Sequence, residues 1–524
     1  FGELQHLEEG GRSILFILPQ NHSSTLELYQ KYKNSINEGV KFSIPIFRED
    51  AIASAGLRTR ISHSFKGAVK PTARVRHVGE LMGLALEDVE LTVYKNVVIE
   101  VEPGDVVYVT GESGGGKSLL LKHLASEMAR HPEFAPVATS WSVAKYIRRD
   151  KPIIELVGED EAEAVKILSA AGLTDVFTWF RRFDELSDGQ RMRFIFAKAL
   201  DVGARTIILD EFCSNLDREN AKATAYTIQK YARKSGITLV VATAIDDLVE
   251  DLNPNLLIIK HFGPHIDIRR YHPEPRPCSL LRDMVIEEGN MEDWKLLSFL
   301  HYRSHKVTGV KKIFKITLNN RVVGVIVYSQ PVLNAPYFSK VFKRDWYLNE
   351  RMGNIMRVQR IVIHPSFRGL GLAKKLLTET MPRLDVAFIE RVNTMERFIP
   401  FSRGVMHIVI DSDIEEDKKQ KLKDFQRRFG INLLRYTSVE IRQFVRKRGR
   451  LHVLKKWLEK NIVSFTPITI KNKNIITLLR IIKNSSAPKR YQVWLNPDPK
   501  FAEIQKTALR DDLELNNSHK VVGG

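Results

Sequence analysis

The sequence predicts a multidomain α/β protein that carries a basic, mainly helical region toward its C-terminus. Three observations lead to that expectation. At 524 residues the chain is long enough for several separate cores. Twice an apolar strand pattern runs into a glycine-rich turn and then an amphipathic helix, in "DVVYVTGESGGGKSLLLKHLA" and in "VQRIVIHPSFRGLGLAKKLL". The positive charge is also gathered in one place. Between Lys418 and Arg490 stand 21 lysines and arginines against three acids, an excess of 18 in a chain of net charge +19.

Composition narrows the classes. Apolar residues make up 43%, as in ordinary globular proteins. The longest apolar runs, such as "SILFIL" and "LLIIK", fall far short of the roughly 20 residues that a spanning helix needs, so no membrane partner is expected. Cys213 and Cys278 are too few for a disulfide framework or a cysteine zinc site, which fits a cytoplasmic location.

Taken in order, residues 1–75 give few signals beyond a strand-like "SILFILP", a helical "SSTLELYQKYKNSI" and a basic stretch, and their role is open. Residues 76–272 alternate strand and helix patterns, beginning with "VELTVYKNVVIEVEPGD". Residues 273–279, stiffened by Pro273, Pro275 and Pro277, read as a linker. Residues 280–408 hold a second α/β unit. Its helix "MEDWKLLSFLHYRSH" precedes two strands around an Asn319–Asn320 turn, then a further strand and the helix "LAKKLLTETM". Residues 409–524 form the basic region, with Phe425, Phe429, Tyr436, Phe444 and Trp457 interleaved among its charges.

The first glycine-rich turn holds Gly111, Ser113, Gly114, Gly115, Gly116, Lys117 and Ser118 in the pattern G-x-x-x-x-G-K-S. Glycine lets the backbone wrap so that its N–H groups face phosphates. Lys117 can reach the terminal phosphates, and the Ser118 hydroxyl can ligate Mg²⁺. "TIILDE" then ends an apolar strand in Asp210, suited to the Mg²⁺ shell, and Glu211, suited to polarise water as a general base. "LSDGQ" contributes Ser187, Gly189 and Gln190, and "SNLD" follows the acids. With these motifs in this order, residues 76–272 resemble the ABC-type ATPases. The resemblance implies ATP and Mg²⁺ as cofactors. It also implies an ATP-dependent homodimer in which Ser187 and the amides of its helix close over the partner's nucleotide. Two features depart from the pattern. No histidine occurs between Glu211 and His261, and no glutamine between Lys117 and Gly189, so two γ-phosphate sensors are missing. Glu155 and Asp246 are candidate replacements, and slow hydrolysis is expected.

The second turn places Arg368, Gly369, Leu370, Gly371, Leu372 and Ala373 after Ile363 and its strand, again at a helix start that favours anions. With "MERFIPFSRGVM" downstream, residues 280–408 resemble the GNAT N-acetyltransferases. The resemblance implies acetyl-CoA at this loop. An acceptor amine needs a base, for which Glu390 is first and His364 second. His301 and His305 share a helical spacing but lack a third metal ligand. The basic region suggests a polyanionic partner, with RNA favoured, through residues 418–490. The combined expectation is an ATP-binding, acetyl-CoA-dependent N-acetyltransferase acting on nucleic acid, such as RNA or tRNA. The alternatives are a nucleic-acid- or ribosome-associated ATPase switch with a non-catalytic second module, and a protein N-acetyltransferase.

Overall fold

Strand-sized, β-branched runs alternating with amphipathic helices build the first sheet. The computed structural model describes residues 4–9, 12–17, 56–66, 72–83, 90–301, 306–332, 337–393, 400–412, 416–430, 443, 452–453, 456–457, 489–511 and 513. An isolated hairpin pairs β1 (Leu4–Glu9) with β2 (Arg12–Ile17). Next, β3 (Leu57–Lys66) and β4 (Glu90–Val101) form an antiparallel pair.

The central sheet contains β5 (Val106–Gly111), β6 (Val137–Thr139), β7 (Thr206–Leu209), β8 (Thr238–Ala242), β9 (Leu256–Lys260) and β10 (Ile266–Arg270). Its order is β10-β9-β5-β8-β7-β6, parallel except at the β10–β9 edge. Alternation along β5 sends Val106 and Tyr108 into one core and Val107 and Val109 into another, so both faces of the strand are covered. The second of these cores also contains Leu57 and Ile61 of β3. The predicted start of this unit at residue 76 was therefore too late, because β3 carries no motif by which sequence alone could attach it.

The second sheet runs β11 (Met284–Glu288), β12 (Val310–Leu318), β13 (Arg321–Ser329), β14 (Ile355–Ile363), β15 (Phe388–Asn393), β17 (Lys489–Leu495) and β16 (His407–Ser412). All neighbours are antiparallel except β14 and β15. That parallel pair holds only from Ile355 opposite Phe388 to Arg357 opposite Glu390, and beyond it the pairing ends.

The expected boundary at 408/409 does not stand. It cuts into β16 and separates β17, an interior strand, from the sheet it completes. Ser412 and Lys489 face each other in register, so residues 413–488 are an insertion at the end of one antiparallel pair. The short return strand "KRYQVWL" follows directly on the basic segment and shares its composition at Lys489 and Arg490.

Helix Arg218–Lys234 joins the two units. Ala221, Ala225, Ile228 and Ala232 belong to a core under the first sheet, while Ala223 and Tyr226 belong to a core of the second. The proline-rich stretch also docks. Cys278 is buried, and Ser279 donates to both carboxylate oxygens of Asp251 at 2.8 and 2.7 Å. Residues 273–279 therefore tie two packed units together and are not a free spacer.

Replacing 413–488 by Asn-Gly, a turn suited to a two-residue hairpin, should keep the second sheet intact. Ending the chain at 408 should destroy it, since Tyr491 and Val493 are wholly buried. Calorimetric melting checks this. The Asn-Gly chain should keep the full chain's main transition, and the truncated chain should lose part of its unfolding enthalpy.

Candidate functional sites

The first site sits where β5 gives way to helix Lys117–Met128. Gly111 has φ 123°, and a Cβ there would lie 2.0 Å from the Lys260 carbonyl oxygen. Only glycine fits. Gly114 and Gly116 are also left-handed, at φ 77° and 101°. Gly116 caps the helix without any side chain, so the first-turn amides are free of a capping group. Tyr94, a residue the sequence did not single out, donates its hydroxyl to the Gly116 carbonyl at 3.0 Å. Lys117 Nζ folds over the loop onto the carbonyls of Gly111 and Glu112, at 2.8 and 2.7 Å. Burial lowers the Lys117 ammonium, with Asp210 and Glu112 opposing, so an incoming anion would favour its charged form.

Ser118 is exposed in the first helical turn, next in sequence to Lys117. Asp210 ends β7 with its N–H on the Ser140 hydroxyl at 3.2 Å, and the exposed Glu211 follows at φ 53° with its N–H on Asp210 Oδ1. Hydroxyl and carboxylate oxygens are the donors a Mg²⁺ ion takes, and the bare glycine cradle suits a polyphosphate. These residues fit ATP and Mg²⁺.

The signature motif is a helix cap. Ser187 Oγ accepts from Gln190 N, and Gln190 Oε1 accepts from Ser187 N at 3.1 Å, a capping box opening helix Asp188–Asp201. Asn215 of "SNLD" donates to Asp188 at 3.2 Å, and a Cβ on Gly189 would lie 2.5 Å from Leu216. The two motifs are thus one packed unit with Ser187 exposed. After β8 the chain presents Thr243, whose hydroxyl accepts from Ile245 N at 3.2 Å, and Glu155 and Asp246 are both exposed.

The second site is a cleft of about 410 Å³. One wall is β14 from Val358 to Ile363, Arg368 to Lys374 without Leu370, and Arg391 with Phe401. Gly369 and Gly371 are left-handed at φ 90° and 84°, and Gly371 caps helix Leu372–Thr380 with no side chain. Leu370 is buried in the core beneath. Arg368 does not project outward as an anion ligand would. Its Nε donates to the Ile363 carbonyl at 2.9 Å and it lies 3.9 Å from Asp175 of the other domain.

The candidate bases divide. His364 does not line the cleft. Its Nδ1 accepts from Ser366 N at 3.4 Å as a turn cap, and burial, with Arg321 and Arg368, keeps it below its ordinary value. Glu390 stands at the last paired position before β14 and β15 part, on the face opposite Arg391. It is 1% exposed, accepts from Tyr491 Oη at 2.8 Å and from Tyr347 Oη at 3.5 Å, and burial raises its carboxyl. His301 lines the cleft, whereas His305 lies outside the described residues. Among the described residues no cluster of His, Cys, Asp and Glu is fit to hold a metal, and no helix is long and apolar enough to cross a membrane.

Most of 418–490 lies outside the described residues. Trp457 is an exception. It is buried, edge-on to Phe425 at 4.8 Å and to Phe429 at 6.2 Å, so these three rings pack on one another and are not poised to stack on bases.

Residues 94–214 match the family described as ABC transporter. The cell division ATP-binding protein FtsE of Streptococcus pneumoniae is 23% identical over 201 residues, covering 32% of this chain and 86% of FtsE. The ribosome protection protein VmlR of Bacillus subtilis is 27% identical over 171 residues, covering 32% of this chain and 29% of VmlR. Among solved structures, the dimeric ATP-binding cassette MJ0796 with ADP and phosphate aligns over 35% of this chain and 92% of its own, at 18% identity and TM-score 0.30. An ABC-type ATPase domain is present in this chain, and such a domain implies ATP and Mg²⁺.

Lys117→Ala should abolish ATP binding, and Glu211→Gln should bind ATP and hold it as a dimer. Sedimentation with and without ATP reads this out, and an unchanged monomer in Glu211→Gln would contradict it. With neither sensor residue in place, hydrolysis by the full chain should be slow, each lost transition-state contact costing about 10²-fold or more, and phosphate release at the rate of a cassette holding both sensors would contradict this.

Proposed function

We propose that the chain is an ATP-binding, acetyl-CoA-dependent N-acetyltransferase with a nucleic-acid acceptor, RNA being favoured. The observation that carries this reading is the parting of β14 and β15 beside the glycine loop. An antiparallel sheet with a single parallel pair, opening just where a left-handed glycine caps the following helix, supports a GNAT-type domain formed by 280–412 and 489–513. Unpaired edges of β14 offer backbone groups to an extended, amide-bearing ligand, while the amides at Gly371–Ala373 suit its pyrophosphate. Acetyl-CoA would supply the activated acetyl group.

Glu390 has the placement expected of the proton acceptor. At the fork, a carboxylate on the face opposite the cleft meets an amine arriving from that side. Tyr347 and Tyr491 hold it in one orientation. Burial raises its carboxyl toward the range a base needs at neutral pH. The nucleic-acid acceptor rests on the charge of 418–490, which no ordinary core explains. The ribosome-protection function of VmlR makes ribosomal RNA a natural candidate.

One observation favours a second reading, an ATPase switch with a non-catalytic module. Glu390 is almost fully buried, so an acceptor reaches it only if the cover of Tyr347 and Tyr491 shifts.

Transfer of labelled acetyl from acetyl-CoA to total RNA separates the two. The first reading expects incorporation that falls by about 10² or more in Glu390→Gln and vanishes in Gly371→Glu. No incorporation, with intact ATP-dependent RNA binding, would favour the switch.

Burial raises Glu390, so the folded chain keeps that proton to higher pH than the unfolded chain does. The linked stability is present in acid and declines as pH rises through the folded value, while transfer rises over the same window. Glu390→Gln should flatten both profiles, as melting and rate measurements across pH will report.

In a salt titration of RNA binding, the full chain should give a log–log slope of about −0.7 per phosphate contact on single strands. The chain with 413–488 replaced by Asn-Gly should lose most of that slope. Equal slopes would place the contacts elsewhere.

A further inference from the structure

The cleft has a second wall, and it belongs to the ATPase domain. Ser169, Thr174, Asp175 and Val176, from the end of helix Glu161–Ala170 and the turn into helix Val176–Trp179, line it opposite the glycine loop. The hydroxyl oxygens of Ser169 and Thr174 are buried and have no hydrogen-bond partner. Buried hydroxyls without partners are rare enough to call for one, and both residues line the same cavity, where a side-chain rotation would bring the hydroxyl to a ligand.

The charge around this cleft is mainly positive, with Asp175 the acid among its lining residues. Lys374 lies in the first turn after the glycine loop, close enough to Lys230 on helix Arg218–Lys234 to repel it. Burial lowers the Lys230 ammonium, and the charges of Lys234 and Lys374 lower it further. Gly369 sits so close to the same helix that a Cβ would lie 2.9 Å from Thr227 Oγ1.

A short chain of contacts leads from this wall to the signature motif. Arg368 lies 3.9 Å from Asp175 Oδ1. Asp175 Oδ2 accepts from Thr178 Oγ1 at 2.8 Å, and that hydroxyl accepts from Gln190 Nε2 at 3.3 Å. Gln190 in turn forms the capping box with Ser187, the residue whose exposed face awaits a partner's nucleotide.

We propose that the cleft is a composite site. A phosphate-bearing ligand of the acetyl-CoA class is held jointly by the glycine loop and by Ser169 and Thr174 of the ATPase domain, and its occupancy is coupled through Asp175, Thr178 and Gln190 to nucleotide closure at Ser187. This rests on the acetyl-CoA reading of the second domain. The coupling has a physical route. Engagement of Ser187 by a phosphate competes with its cap on Gln190, and Gln190 is the group that positions Thr178 and hence Asp175 against Arg368. Coupling of this kind is reciprocal: ATP must change the affinity for the second ligand by the same factor as the second ligand changes that for ATP.

Calorimetry on the full chain tests it, with coenzyme A as probe in the presence and absence of saturating Mg²⁺ and AMP-PNP. Ser169→Ala with Thr174→Val should weaken coenzyme A by about tenfold, while Thr174→Ser keeps the hydroxyl and the affinity. AMP-PNP should shift coenzyme A affinity by at least about fivefold in the natural chain and not in Thr178→Val. Unchanged binding in the double variant would overturn the composite site while leaving the acetyl-CoA reading in place. A shift that persists in Thr178→Val would overturn the proposed route. Failure of the natural chain to bind coenzyme A, with AMP-PNP still bound, would overturn both readings at once.

Discussion

Helix Arg218–Lys234 is buried on two faces, and the arrangement of both domains depends on that. Small residues make it possible. Alanines at 221, 225 and 232 let the helix lie close under the first sheet, while Ala223 and Tyr226 pack into the second domain's core. On the same helix, Glu219 pairs with Arg321 and accepts from Asn319 at 3.2 Å, and Thr227 touches the glycine loop. A helix that serves two hydrophobic cores cannot shift in one without disturbing the other, because close-packed interiors transmit displacement.

Both glycine loops use one physical device. A strand ends, a left-handed glycine turns the backbone where a side chain would collide, and a helix begins with its amides uncapped. At Gly111 the collision is with the Lys260 carbonyl, and at Gly369 it is with Thr227 of the bridging helix. The first glycine therefore fits the loop to its own sheet. The second fits it to the neighbouring domain, so the shape of the second loop already includes the ATPase. The close approach of Gly369 to Thr227 is the packing observation on which the proposed coupling of the two domains rests.

The first site was largely legible in the sequence, because its chemistry is local. Gly111 to Ser118, Asp210 with Glu211, and Ser187 to Gln190 each lie within a few residues of one another, and the structure places them as caps, turns and strand ends of one domain. The turn of the second loop was legible for the same reason, whereas the inward course of Arg368 was not. What escaped was non-local. β3 joins the ATPase core from before the expected boundary, and β17 returns to the second sheet from beyond a basic insertion of more than seventy residues. Ser169, Thr174, Asp175 and Lys230 carry no motif at all, and their relation to Gly369 arises only from domain packing. Glu390 and His364 looked alike as candidates. The structure separates them: one stands at a fork between strands, and the other caps a turn.

The most direct test of a shared site is amide hydrogen exchange on the full chain with and without coenzyme A. Slowed exchange together in the glycine-loop helix from Leu372 and in the ATPase segment from Leu168 to Thr178 is the predicted result. Slowing confined to β14 and the glycine-loop helix would show a site belonging to the second domain alone, and would contradict the account.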